Sequence, residues 1–205
     1  MEDVLDLYEE PYDPKRPKVC FDETSKQLVE DKRPPKSLKP GHPEYYDYEY
    51  KRNGTRNLFM AFEPQRGWRH VEVTRHRKSY DFAHQMKWLV DKVYPDADVV
   101  RLVLDNLNTH RPASMYETFE PTEARRITKR LEFHYTPKHA SWLNMAEIEF
   151  SVFSRQCLDR RIPDEQTLKR HISALERERN RTRATVNWRF TSPLARVKLQ
   201  KLYPS

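Results

Sequence analysis

The chain has 205 residues, of which 34% are charged and 37% hydrophobic, and its net charge is +7. This length fits one domain, or one domain plus a tail, and the 9 Phe, 11 Tyr and 4 Trp residues can fill a core, which excludes a disordered chain. Three scattered glycines exclude a glycine-rich phosphate loop, two cysteines exclude a disulfide framework, and no apolar run has the length of a membrane span.

Charge is distributed unevenly along the chain. Residues 1–31 carry a net charge of −6, and residues 151–205 carry +8. A basic C-terminal half suggests a polyanionic partner, most often nucleic acid, although a solvated helix face gives the same pattern. Because the first residues are acidic, unlike those of a signal peptide, we expect a cytoplasmic protein with no membrane partner.

The first half of the chain predicts antiparallel strands. Residues 1–16 are acidic and interrupted by prolines, so we expect a loose lead-in, and residues 31–44 predict a proline-rich loop. The segments with a strand pattern are 18–22, 46–50, 58–62 and 68–74. Asn53-Gly54 predicts a hairpin turn, and residues 65–67 predict another.

The second half predicts helices that alternate with strands. Phe82, Met86, Leu89 and Val93 recur at helical spacing after Ser79, which can cap this helix. The later segments are a strand at 99–104, a helical region at 114–130 broken by a proline, a strand at 131–135, a helix at 141–158 capped by Ser141, a helix at 164–179 and a basic tail at 187–203. This order implies an α/β fold whose mixed sheet joins an antiparallel meander to parallel βαβ strands, with helices on its faces.

Three acidic residues lie where a strand end or a helix could aim a catalytic carboxylate. Asp22 ends the first apolar strand, and Asp105 ends the strand at 99–104, although an Asp in that position is often only a turn or cap residue. Glu147 borders the buried side of its predicted helix, whereas Glu149 lies about 200° around the axis, where we expect solvent. Strand alternation points Glu23 away from Asp22, so we expect only one of these two acids to join the site.

Converging carboxylates repel one another and are tolerated mainly where cations bind. Oxygen ligands of this kind suit Mg²⁺ or Mn²⁺. Two such ions can activate a nucleophile and stabilise a leaving oxygen in phosphodiester chemistry, which fits a basic protein with a polyanionic substrate.

Three motifs in sequence resemble the DDE endonuclease domain of bacterial insertion-sequence transposases, in the mariner-related superfamily. They are Val103-Leu104-Asp105-Asn106-Leu107-Asn108-Thr109-His110, Phe133-His134-Tyr135-Thr136-Pro137 and Ser141-Trp142-Leu143-Asn144-Met145-Ala146-Glu147. The first acidic residue of the family pattern falls on Asp22, and the resemblance extends from about residue 17 onward.

The resemblance implies a ribonuclease-H-like fold in which Asp22, Asp105 and Glu147 hold two divalent ions, Mg²⁺ or Mn²⁺. It implies DNA nicking followed by strand transfer, with transposon ends and target as double-stranded DNA partners. The resemblance also makes three further residues candidates for orienting the ligands or contacting DNA, and these are Asn106, His110 and Asn144. A homodimer and a nucleoid-associated location follow as expectations.

The resemblance suggests a lead-in at 1–16, a catalytic domain at 17–186 and a basic tail at 187–205. The family's N-terminal helix-turn-helix has no counterpart before Asp22, so we expect the catalytic part alone. Between Asp105 and Glu147 lie 41 residues, more than in the best-known relatives.

Three alternatives to a transposase remain open. The chain could be a catalytically unproductive DNA-binding remnant, or a cellular nuclease of the same fold that performs no strand transfer. A zinc site built from His134, His139 and Glu147 is less favoured, because the two histidines lie on a strand and in a loop rather than at helical ligand spacing.

Overall fold

The structure is a computed structural model that describes residues 1–32, 48–138 and 140–202. Its centre is a sheet of β1 (Lys18–Asp31), β2 (Tyr50–Glu63), β3 (Trp68–Thr74), β4 (Val100–Leu104) and β5 (Leu131–Tyr135). The strand order is β3-β2-β1-β4-β5. The first three strands pair antiparallel, while β4 lies parallel to both β1 and β5. The predicted mixed sheet is therefore confirmed.

Helices cover both faces of this sheet. The α-helices of the described residues are α1 (Glu2–Glu9), α2 (Ser79–Trp88), α3 (Ala113–Thr118), α4 (Pro121–Thr128), α5 (Met145–Phe153), α6 (Glu165–Arg181) and α7 (Ser192–Lys198). The π-helical segments Leu89–Val93 and Ser154–Leu158 continue α2 and α5, and short 3₁₀ turns span Ser141–Leu143 and Gln200–Leu202. None of the helices in the described ranges is long and apolar enough to cross a membrane.

Strand alternation divides the core into two layers. Cys20, Met60 and Val103 point to the face covered by α1, α5, α6 and α7. Phe21 and Phe59 point to the opposite face, which α2, α3 and α4 cover. Because β1 and β4 are covered on both sides, their apolar runs are nearly continuous, as parallel strands require.

The N-terminal segment differs from its prediction. The expected loose lead-in contains α1, whose Val4, Leu5 and Leu7 are buried in the core. Ser192 Oγ of α7 donates a hydrogen bond to Asp6, 2.5 Å away. The helices α1 and α7 therefore pack together on the sheet face that α5 and α6 also cover.

The predicted hairpin turn at Asn53-Gly54 is wrong, because β2 runs straight through it. Gln27 pairs with Thr55 and Val29 with Arg52, so two residues of β2 stand opposite one residue of β1. This is a β-bulge, and Gly54 supplies the positive φ of 90° that it uses. Residues 33–47, which include most of the predicted loop and the first part of the predicted 46–50 strand, lie outside the described residues.

Candidate active site

Two of the predicted carboxylates belong to neighbouring parallel strands. Asp105 directly follows β4, whereas Asp22 lies within β1, so the prediction that Asp22 ends its strand is wrong. Cys20 of β1 pairs with Val103 of β4, and two residues further along each strand are Asp22 and Asp105. The spacing of two gives Asp22 the same sheet face as Cys20, which is the face that α5 covers. Asp105 is the first residue after β4 and directs its Oδ1 to His110. Adjacent strands lie about 4.8 Å apart, so the sheet brings these two positions close together.

The third carboxylate is held by the start of α5. Asn144, not the predicted Ser141, caps this helix, since its Oδ1 accepts a hydrogen bond from the Ala146 amide at 3.1 Å. The Asn144 Nδ2 donates to the Phe21 carbonyl at 2.8 Å, which ties the helix to β1 one residue before Asp22. Asn144 is 2% exposed, and both ends of its side-chain amide are engaged in these two bonds. It therefore orients Glu147, which lies in the first turn of α5, and does not face solvent.

Asp22 and Glu147 face one open cleft. The cleft has a volume of about 540 Å³ and is lined by Asp22, Glu23, Thr24, Glu147, Phe150, Ser151, Ser154 and Arg155. Glu149 does not share this surface, and the expectation that it meets solvent is wrong. It is fully buried and lies 3.0 Å from the Nε of Arg69.

The pKa of Asp22 is raised to about 7, first by burial and then by the negative charges of Glu23, Glu147 and Asp105. A hydrogen bond of 2.8 Å from the Glu23 amide opposes this increase. Four acidic side chains therefore share one electrostatic environment, and a cation among them would lower the cost of ionising Asp22.

His110 links two of these acids from the other side of the sheet. Its Nδ1 donates to Asp105 Oδ1 at 2.6 Å, and its Nε2 lies 2.9 Å from Glu23 Oε2 in an ion pair. The imidazole is fully buried between Phe21 and Phe82. Burial opposes its positive charge, but the two acidic neighbours outweigh that cost and raise the pKa to about 9.

Sequence reasoning missed the contribution of Glu23. Alternation does point it away from Asp22, yet its carboxylate reaches the site through His110, and its side chain is only 3% exposed. The signal that could have found it is the shared face of Glu23 and the apolar Phe21, where a carboxylate needs a cationic partner. By contrast, Asn106 is exposed in the loop after β4.

Of the alternative zinc ligands, the structure describes His134 and Glu147, and His134 is bonded to other acids. His134 Nδ1 bonds to Asp3 and its Nε2 bonds to Glu132, each at 2.8 Å. His139 lies outside the described residues.

The donor set of the cleft fits a hard divalent cation. The side chains supply carboxylate oxygens, the preferred ligands of Mg²⁺ and Mn²⁺. Burial, and then repulsion among these acids, raises the pKa of Asp22. In the part of the chain that the structure describes, no three His, Cys, Asp or Glu side chains are already closed around a metal position. Asp105 directs Oδ1 to His110 instead.

Comparison with known families identifies the class. The model of the DDE superfamily endonucleases matches residues 17–169, and the chain belongs to this family. A comparison with curated protein sequences finds no match.

The fold is similar to that of Mos1 mariner transposase. The Mos1 paired end complex with Mn is 15% identical with a TM-score of 0.58, over 88% of this chain and 54% of that one. A pre-cleavage Mos1 transpososome is 16% identical with a TM-score of 0.54, over 91% and 60%. The Mos1 strand transfer complex is 14% identical with a TM-score of 0.54, over 92% and 62%. The predicted ribonuclease-H-like fold is confirmed, and the chain spans between half and two thirds of the Mos1 chains.

Proposed function

We propose that this chain is the catalytic domain of a transposase that cleaves DNA phosphodiester bonds and transfers the freed 3′ strand to target DNA. Asp22, Asp105 and Glu147 form its acidic triad. The observation that supports this most is the approach of three acids from two parallel strands and α5. Burial raises the pKa of Asp22, and Glu147 and Asp105 lie close enough for their charges to raise it further.

The triad would hold two Mg²⁺ or Mn²⁺ ions, which supply a metal-activated nucleophile and charge stabilisation for the leaving oxygen. The protein's own contribution is positioning. The backbone of β1 and β4 sets the separation of Asp22 and Asp105, and the Asn144 bond to Phe21 fixes the start of α5. His110 orients the carboxylate of Asp105. The openness of the cleft suits a polymer backbone better than an enclosed small molecule.

Double-stranded DNA is the proposed substrate, as both transposon end and target. The Mos1 structures are described as paired end and strand transfer complexes, and the net charge of +7 on this chain suits a polyanion. The proposal includes two further predictions. The chain forms a homodimer that pairs two DNA ends, and it is associated with the nucleoid.

A nicking assay on supercoiled plasmid with Mn²⁺ tests the activity. The unaltered chain should convert supercoiled DNA to the open circle, and a second assay with a pre-cleaved 3′ end should yield a joined product. Asp105→Asn should abolish both reactions. Glu117→Gln, which alters an exposed acid on α3, serves as the matched control and should keep them.

Each outcome distinguishes the candidates. Equal nicking by the unaltered chain and Asp105→Asn would assign the signal to contamination and contradict the proposal. DNA binding without nicking would identify a catalytically unproductive DNA-binding protein. Nicking without a joined product would identify a nuclease.

A further inference from the structure

The end of β5 lies beside the strand that leads to Asp105. Tyr135, the last residue of β5, is paired with Leu104, the last residue of β4. The next amide, that of Thr136, donates to the Leu104 carbonyl at 2.9 Å, so the pairing of the two strands extends to the residue before Asp105. Tyr135 therefore lies next to the start of the loop at 105–110, which carries both Asp105 and His110.

Two side-chain hydroxyl groups hold the other end of this loop, just before α3. Ser114 Oγ donates to the Thr109 carbonyl at 2.7 Å, and the Tyr135 hydroxyl donates to the His110 carbonyl at 2.8 Å. In a regular α-helix these carbonyls would accept from amides four residues later, but the Ser114 amide bonds to the Arg111 carbonyl at 3.0 Å instead. The hydroxyl groups thus take the place of helix amides as donors.

The position of the His110 backbone determines where its ring lies. His110 is fully buried, so its carbonyl has no water to replace the Tyr135 hydroxyl. Its ring packs between Phe21 and Phe82, with Nδ1 2.6 Å from Asp105 Oδ1. A buried carbonyl that loses its donor favours a backbone shift toward another partner, and such a shift would move the imidazole away from Asp105.

We propose that Tyr135 is a positioning residue for the metal-binding acids, because its hydroxyl fixes His110 and His110 fixes Oδ1 of Asp105. This inference rests on the proposed function, since it takes Asp105 as a ligand of a divalent cation. Because Oδ1 is held by the imidazole, the orientation of Oδ2 is set as well, and Oδ2 is the oxygen left for a cation. Ser114 supports the same loop from α3.

Binding of Mn²⁺, measured by isothermal titration calorimetry, tests the role of the hydroxyl. Tyr135→Phe keeps the ring and its stacking on Phe133, whose centroid lies 6.1 Å away, and removes only the hydrogen bond. We expect Mn²⁺ to bind about tenfold more weakly, as is typical when a residue that orients a metal ligand is altered. Tyr116→Phe removes the hydroxyl of an exposed tyrosine on α3, and this matched control should bind Mn²⁺ unchanged.

A His110→Gln background distinguishes positioning from a general loss of structure. If Tyr135 acts through His110, Tyr135→Phe should cause no further loss of Mn²⁺ affinity in this background, because the imidazole that it positions is absent. A second tenfold loss there would show that Tyr135 acts by another route and would overturn the inference. Urea denaturation of each variant first establishes that it is folded.

A readout on the metal-free protein is the NMR signal of the His110 Nδ1 proton, which lies in the hydrogen bond to Asp105. This signal should move upfield in Tyr135→Phe, as the bond lengthens, and stay in place in Tyr116→Phe. An unchanged signal or an unchanged Mn²⁺ affinity in Tyr135→Phe, with nicking by the unaltered chain intact, would overturn this inference and leave the proposed function standing. A shifted signal in a chain that never nicks DNA would support the link from Tyr135 to Asp105 and contradict the proposed activity.

Discussion

Glu149 of α5 lies 3.0 Å from the Nε of Arg69 on β3, and neither side chain is more than 1% exposed. Arg179 of α6 also donates to the same carboxylate, through its Nη2 at 2.8 Å. One buried acid is thus shared by two guanidinium groups from different elements. Because these contacts fix the rotation of α5 about its axis, they determine that Glu147, two residues earlier, faces the cleft.

Loss of the Glu149 carboxylate should lower the free energy of unfolding by a large amount. Glu149→Ala leaves Arg69 buried without its anionic partner, and breaking a buried pair in this way costs about 3–5 kcal/mol. The free energy of unfolding, measured by urea denaturation, should fall by that amount. Glu147→Gln, a change at the cleft surface, should alter it by less than about 0.5 kcal/mol. Equal stability of both variants would contradict the structural role of Glu149.

Glu23 should affect the reaction rate without affecting DNA affinity. Its carboxylate holds His110 in place, and His110 in turn holds the carboxylate of Asp105. In Glu23→Gln the imidazolium loses one of its two charged neighbours, so Asp105 should be less well oriented. Changes to residues that orient a metal ligand typically reduce activity by about 10- to 100-fold.

Initial rates of plasmid nicking, compared with duplex affinity in the same preparation, test this role of Glu23. The rate should fall while the affinity stays within about twofold. Glu117→Gln again provides the control for loss of one negative charge. A parallel loss of rate and affinity would mean that Glu23 acts on DNA binding or folding instead.

Stability should fall at alkaline pH because of His70. Burial disfavours the charged imidazole, but contacts with Glu176 at 3.1 Å and Glu72 at 3.6 Å raise its pKa to about 9. Below the unfolded value of about 6.5, both states bind the proton and the stabilisation is complete. Between about 6.5 and 9 only the folded state keeps the proton, so the stabilisation decreases as pH rises and is lost above about 9.

His70→Gln isolates this contribution. The difference in unfolding free energy between the unaltered chain and the variant should shrink by about 2 kcal/mol from pH 6 to pH 9.5. Urea denaturation at several pH values measures it. Parallel pH profiles for the two proteins would show that the proton at His70 is not coupled to folding.

Local patterns predicted most of the strands and helices, because the alternation or helical spacing of apolar residues is visible within a short stretch of sequence. They also predicted Asp105 as an acid that follows a strand and Glu147 as an acid that borders the buried side of a helix. Asp22 was expected at the end of a strand, but β1 continues beyond it to Asp31. The pattern predicts Ser141 as the cap of that helix, although the cap is Asn144. A cap residue is recognisable only once the helix start is known, and the intervening 3₁₀ turn conceals that start.

Features that depend on distant partners could not be read in this way. An acid at position 149 is expected in solvent unless Arg69 and Arg179, far away in sequence, neutralise it. Asn53-Gly54 suits a hairpin turn and a β-bulge equally, and only the register against β1 decides between them. Glu149, Asn53 and Gly54 share one property, which is that the deciding contact comes from another element.

Divalent cations should raise the melting temperature of the chain through the acidic cleft. Binding at ten times the dissociation constant stabilises the folded state by about 1.4 kcal/mol, which corresponds to about 3–6 °C for a chain of this size. Differential scanning fluorimetry with increasing Mn²⁺ or Mg²⁺, followed by removal of the ion with a chelator, measures the effect.

Asp105→Asn should lose most of the increase in melting temperature, because it removes one of the negative charges that act on Asp22. Glu117→Gln, whose acid lies outside the cleft, should retain it. An equal increase in Asp105→Asn would place the bound cation elsewhere on the protein and contradict the assignment of Asp105 as a ligand.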